Sequence, residues 1–219
     1  MSSNDQLRVL VTGVTGYVGN QLVPRLLEEG YSVRVLVRDP AKLQGKPWLA
    51  EVQVFIGDVL KPATLSPAFD QVDIIFYLIH SMVNVVDYSS GDAQAAENVG
   101  RAARAAGVKR IVYLGGLGNP DSDLSTHLRS RHRTGEKLRE SGVALTEFRA
   151  GIIIGSGSAS FELIRYLTER LPIIVTPRWV YTQGQPIAID DILDYLADSL
   201  INHQSQGKII EIGGPDVLS

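Results

Sequence analysis

Short, almost wholly apolar runs recur along this chain, each followed by a stretch with helical spacing, and that alternation constrains the fold more than any other feature. The runs are Arg8–Val11, Ser32–Val37, Val52–Ile56, Val72–Leu78, Arg110–Leu114 and Ala144–Phe148. They are short and rich in β-branched residues, as buried strands are. Strands apolar on both faces belong to a parallel sheet covered by helices on both sides, because right-handed crossovers place the helices there. Apolar spacing predicts helices over 17–29, near 62–69, over 91–106 and over 126–141, with Gly30, Gly107 and Gly142 as stops.

The expected fold is therefore α/β, a Rossmann-type doubly wound parallel sheet in one domain, with residues 1–150 as its core. After Arg149 the rhythm changes. Helices are expected near 160–170 and from Asp190 to about Ile201, apolar pieces at Ile173–Val175 and Pro186–Ile189, and a strand at Lys208–Ile212. Residues 151–219 read as a smaller lobe on the substrate side. Asp190 and Asp191 read as a helix cap.

Composition narrows the function classes. The chain has no cysteine, which excludes disulfides, thiol nucleophiles and thiolate zinc sites. Its four histidines, at 80, 127, 132 and 203, show no ligand spacing with carboxylates, so no metal is expected. A net charge of -3 offers no field to gather nucleic acid or an anionic membrane. No apolar run approaches the ~20 residues of a spanning helix. The start of the chain does not read as a secretory signal, and a cytoplasmic setting is expected. The basic stretch from Arg129 to Arg139 has two readings: a phosphate patch, or a solvated helix face interrupted by Glu136 and Glu140.

Between the first strand and the first helix stands Thr12-Gly-Val-Thr-Gly-Tyr-Val-Gly19. A glycine fingerprint means little alone and much in this position. Gly13 permits the tight turn, Gly16 lets backbone approach a pyrophosphate, and Gly19 lets the helix pack close to the strand. Amides of Thr15, Tyr17 and Val18 then face an anion at the positive end of the helix. Those features imply a dinucleotide. At the end of the second strand, an acid would favour NAD and a base NADP. Arg38 stands there, offering a fork of donors to a ribose phosphate. NADP(H) is thus expected; Asp39, if it turned inward instead, would favour NAD(H). Arg34 shares a face with Arg38 by strand alternation or stands at the surface. Asp58 and Val59 close the third strand, where they would border the adenine unless Asp58 is a solvated carboxylate. Leu78, Ile79 and His80 are expected beside the cofactor and Ser81 beside the substrate, since ligands collect at the carboxyl ends of strands.

With Val37-Arg-Asp-Pro40, Gly57-Asp-Val59, Ser141-Gly-Val143, Phe148-Arg-Ala-Gly151 and Pro186-Ile-Ala-Ile-Asp-Asp191, these motifs make the chain resemble an atypical, extended-like short-chain dehydrogenase/reductase of the NmrA-like NAD(P)-binding group. His127-Leu-Arg-Ser-Arg131 and Thr176-Pro-Arg-Trp-Val180 are similar to a bacterial subgroup in which a further C-terminal domain of unknown function follows. The resemblance implies an oxidoreductase acting on an unknown small carbonyl or alcohol, or an NADP(H)-sensing regulator that has lost turnover. Family enzymes pair a tyrosine acid/base with a lysine one helical turn later. Here His127 and Arg131 fall at those positions, and Gly115-Gly116 at that of the companion serine. The two side chains form either a substitute catalytic pair or a wall supporting the cofactor. Gly115, Gly116 and Arg149 are expected at the substrate pocket, with Arg149 anchoring an anionic substrate or a buried carboxylate. Tyr166 and Arg170 repeat the four-residue spacing but read as structural.

Overall fold

The computed structural model describes residues 7–80, 88–119, 124–170 and 184–218. Seven strands form one parallel sheet: β1 (Arg8–Thr12), β2 (Ser32–Val37), β3 (Gln53–Ile56), β4 (Ile74–Tyr77), β5 (Arg110–Gly116), β6 (Ala144–Ala150) and the last, β9 (Ile209–Ile212). Between β6 and β9, the short strands β7 (Ile153–Ile154) and β8 (Ile187–Ala188) pair with each other. The order across the main sheet is β3-β2-β1-β4-β5-β6-β9. Its direction of winding reverses between β1 and β4, which opens a crevice at their carboxyl ends.

Among the described residues the helices are α1 (Tyr17–Glu28), α2 (Ser66–Phe69), α3 (Tyr88–Ala105), α4 (Thr126–Glu140), α5 (Ala159–Arg170) and α6 (Ile189–Asp198); α5 packs on β7, and α1, α3, α4 and α6 cover the main sheet. Because neighbouring side chains on a strand point to opposite faces, each run feeds two cores. On one face Val9, Val11, Val35, Phe76, Val112 and Phe148 meet Leu22 and Leu26 of α1 and Ile192 and Leu196 of α6. On the other, Leu10, Ile75, Tyr77, Ile111, Tyr113 and Leu145 meet Ala96, Val99 and Ala103 of α3 and Leu138 of α4. Each such large side chain, fully buried, stabilises the fold by roughly 1.5–3 kcal/mol.

The doubly wound parallel sheet predicted from the apolar runs is the fold observed. Residues 151–219 contribute one strand and one helix to it directly: β9 extends the sheet beside β6, and α6 lies in the same layer as α1. Asp190 and Asp191 do not cap α6; the cap position is Ala188, without a side-chain bond, and both acids lie in the first turn. There they still oppose the positive helix end. Two 3-10 turns that periodicity does not reveal, Pro40–Leu43 and Pro47–Glu51, carry the chain from β2 to β3 and bury Leu43 and Trp48. Ile173–Val175 lies outside the described residues. No helix among the described residues is long and apolar enough to cross a membrane.

Candidate functional site

The turn from β1 into α1 is built from backbone. Gly13 has φ +74, in the left-handed region, and its carbonyl accepts from the Gly16 amide at 2.9 Å. A Cβ at Gly13 would stand 2.5 Å from the Leu78 carbonyl oxygen, and one at Gly19 2.5 Å from the Gly13 oxygen. Any side chain at either place would collide with main chain that cannot yield. Thr12, which sequence reasoning did not single out for the site, pins this turn to the neighbouring strand. Its hydroxyl donates to the Phe76 carbonyl at 3.0 Å and accepts from the Leu78 amide at 3.3 Å. A buried hydroxyl so placed is visible only once β1 and β4 are adjacent.

Gly16 caps α1 with extended backbone and no side-chain bond, and no acid occupies the first turn. The opening amides, those of Tyr17, Val18 and Gly19, therefore lack intrahelical acceptors and face the crevice end with a partial positive charge. Thr15 and Gly16 are exposed, Tyr17 and Val18 half-buried. A glycine turn whose helix-opening amides meet no carboxylate in the first turn fits the pyrophosphate of a dinucleotide.

At the tip of β2, Arg38 is exposed. Asp39 is engaged elsewhere: its Oδ1 accepts from the Ala41 amide at 3.0 Å and caps the following 3-10 turn. Arg34 is turned to β3, where its Nε donates to Gln53 at 3.0 Å and its guanidinium lies 5.1 Å over the Phe55 ring. Asp58 accepts from the Leu60 amide at 3.0 Å through Oδ1. Val59 is buried, and its carbonyl accepts from Asn98 Nδ2 at 2.9 Å.

Across the crevice, side chains take over. β4 and β5 run in register as far as Tyr77 opposite Tyr113, and His80, three residues past β4, lies close enough to Arg131 and His127 to feel both charges. Leu78 is buried, Ile79 and His80 half-buried. A Cβ at Gly116 would lie 2.6 Å from Leu128 Cδ2 and 3.0 Å from Arg131 Cδ. The space a serine would need is thus filled by α4. The Gly116 carbonyl is 3.1 Å from His132 Nε2, and Ser125 caps the helix by accepting from the Leu128 amide at 3.3 Å.

On α4, His127 is exposed in the first turn and Arg131 half-buried one turn later. Tyr113 donates its hydroxyl proton to the Arg131 carbonyl at 3.0 Å. Burial, then the Arg131 and His127 charges, push His80 down to about 3. Burial and Arg131 also lower His127, while Asp92 opposes them. Arg131 is lowered by burial and supported by Tyr113 and Asp92. Asp92, which sequence reasoning missed, accepts from Ser130 at 3.2 Å through Oδ2. It sits on α3, and only the packing of α3 on α4 brings it here, so no spacing in the chain announces it.

Of the two expectations for Arg149, the geometry is that of the buried carboxylate. Its Nε lies 2.8 Å from Glu147, which is fully buried and also 2.6 Å from Arg139. Gly135 makes room for this carboxylate, since a Cβ there would be 2.6 Å from Glu147 Oε2. The basic stretch reads as a helix face: Arg139 is spent on Glu147, Lys137 on Glu140, and Arg129 on the Leu124 carbonyl. Tyr166 is exposed, with the Arg170 guanidinium 5.5 Å over its ring. Ser81 and the Thr176–Val180 motif lie outside the described residues.

Residues 13–163 match the family model described as NAD(P)H-binding. A reductase of (4-alkanoyl-5-oxo-2,5-dihydrofuran-3-yl)methyl phosphate from Streptomyces griseus is 27% identical over 219 residues, covering 96% of this chain and 69% of that protein. Photosystem II assembly factor Ycf39 of Cyanophora paradoxa is 26% identical, and the chain spans only 64% of its length while matching over 95% of its own. Among solved structures, the Bordetella bronchiseptica enzyme WbmG in complex with NAD superposes with a TM-score of 0.80 at 20% identity, over 99% of this chain and 75% of that one. That likeness is one of fold.

Proposed function

The chain belongs to the NAD(P)H-binding family, and from that premise we propose that it is an NADPH-dependent reductase of a small carbonyl or enone compound, with His127 as its proton donor. The observation that carries this reading is an anion-accepting glycine turn after β1 together with a histidine–arginine cluster made by His80 past β4 and by His127 and Arg131 on α4. Gly13, Thr15, Gly16, Tyr17, Val18 and Gly19 would hold the pyrophosphate. Asp58 and Val59 would border the adenine, and Leu78, Ile79 and His80 the nicotinamide half. Preference for NADPH over NADH is supported by the capping role of Asp39, which leaves Arg38 as the charged group at the tip of β2. When bound, the nicotinamide supplies hydride chemistry.

The residues of the chain supply the proton and the seclusion. His127 stands at the rim, where water can recharge it, and its lowered proton affinity makes its imidazolium the stronger acid. The Streptomyces relative, named a reductase, favours this direction. The test follows nicotinamide absorbance with NADPH and a panel of carbonyls and enones, comparing the wild type with His127→Ala. Turnover should fall at least a hundredfold in the variant. In the wild type kcat should decline as pH rises through a midpoint below the usual histidine value near ~6.5.

A second reading, an NADP(H)-sensing protein without turnover, is favoured by the closed serine position at Gly116 and by the assembly-factor relative. NADPH binding with no turnover on any compound, and no effect of His127→Ala, would select it.

A further inference from the structure

Two buried polar atoms, Nδ1 of His80 and Nε of Arg131, have no partner among the described residues, and the Arg131 charge reaches His80. An unmet buried hydrogen-bonding group costs about 1–3 kcal/mol, and more when it is charged. Their placement is not slack in the fold. Arg131 is seated by its Cδ over Gly116 and by the bond from Tyr113 to its carbonyl, and His80 stands three residues past β4, within reach of the Arg131 charge. Glu147 is taken by Arg139 and Arg149, and Asp92, whose charge supports Arg131, also accepts from Ser130.

A guanidinium keeps its charge at every working pH, so it suits an anion that is present before any reaction begins. Its planar fork matches a carboxylate, and an imidazole beside it adds one neutral donor. The pyrophosphate of the cofactor has its own place at the helix-opening amides of the glycine turn between β1 and α1. We infer that His80 and Arg131 form a subsite for the carboxylate of a small organic acid. That this acid is the compound reduced rests on the reductase reading above; that the subsite binds a carboxylate does not.

The test uses the full chain labelled with nitrogen-15 histidine, titrated with sodium acetate against sodium chloride at constant ionic strength. Acetate should move the His80 imidazole signals saturably and raise the pH at which they titrate. His203, at the far end of the sheet beside Arg110, should not move. Arg131→Gln should weaken acetate binding at least tenfold, with Arg131→Lys losing less, and inorganic phosphate should bind at least tenfold more weakly than acetate. Should Arg131→Gln fail to fold, as circular dichroism would reveal, His80→Asn serves the same comparison. The inference is overturned by a flat His80 response, by equal affinity in wild type and folded variants, or by tighter binding of phosphate. NADPH fluorescence on the same samples separates the two claims. Acetate bound without NADPH sinks the reductase reading and spares the subsite, and NADPH bound without acetate does the reverse.

Discussion

The turn between β1 and α1 holds its shape with main-chain atoms, whereas the wall made by β4, β5 and α4 holds its shape with side chains drawn from separate elements. At the turn, the Leu78 carbonyl, just past β4, lies where the Gly13 side chain would be, so the chemistry offered is that of amides and a helix end. At the wall, α4 side chains fill the space above Gly116, and a buried carboxylate, Glu147, ties α4 to β6 through Arg139 while also pairing with Arg149 of its own strand. A backbone site tolerates no side chain; a side-chain site tolerates substitution until a buried charge is stranded.

The sharpest way to break this contrast is Glu147→Ala. Removing a fully buried carboxylate strands Arg149, itself buried, and should destabilise the fold by about 3–5 kcal/mol in urea unfolding. Little change would mean that α4 is held to the sheet by its apolar contacts alone. Gly13→Ala comes next. It forces a side chain into a positive-φ position against the Leu78 carbonyl, and should weaken NADPH binding at least a hundredfold, about 2.7 kcal/mol, by fluorescence titration.

The pH response of the wall is smaller. His80 is held neutral in the fold, its value pushed from 6.5 to about 3 by burial, then by Arg131 and His127. On unfolding it takes up a proton at any pH between those limits. Stability is therefore intact above the unfolded value and falls as pH drops from 6.5 toward about 3. Between pH ~7 and ~5 the loss should be about 1–2 kcal/mol greater in the wild type than in His80→Asn. Equal slopes would show His80 to be open to water. Smallest is Arg38→Gln, expected to weaken NADPH binding about tenfold, or ~1.4 kcal/mol, while sparing NADH. An equal loss for both dinucleotides would remove Arg38 from phosphate recognition.

Legibility followed the same division. The parallel sheet, the glycine turn and the place of Arg38 depend on residues close together in the chain, and they could be read there. Periodicity missed the 3-10 turns between β2 and β3, which proline and the burial of Trp48 set rather than any repeat. His127 and Arg131 could be found by counting along one helix. Asp92 and Thr12 could not, because each acquires its role from an element distant in sequence. Of the two readings left open for Arg149, a single contact with Glu147 gives the buried carboxylate.

What the amino-acid order determined by itself was local: which runs become strands, where glycine lets backbone pass close to backbone, and which helix opens without an acid. Only the tertiary structure decided which charges are paired and which buried atoms are left without a partner. The reason is physical. Backbone geometry is set within a few residues, whereas desolvation and pairing depend on everything that packs around a group, and α3, α4 and β4 meet at His80 and Arg131 from separate parts of the chain.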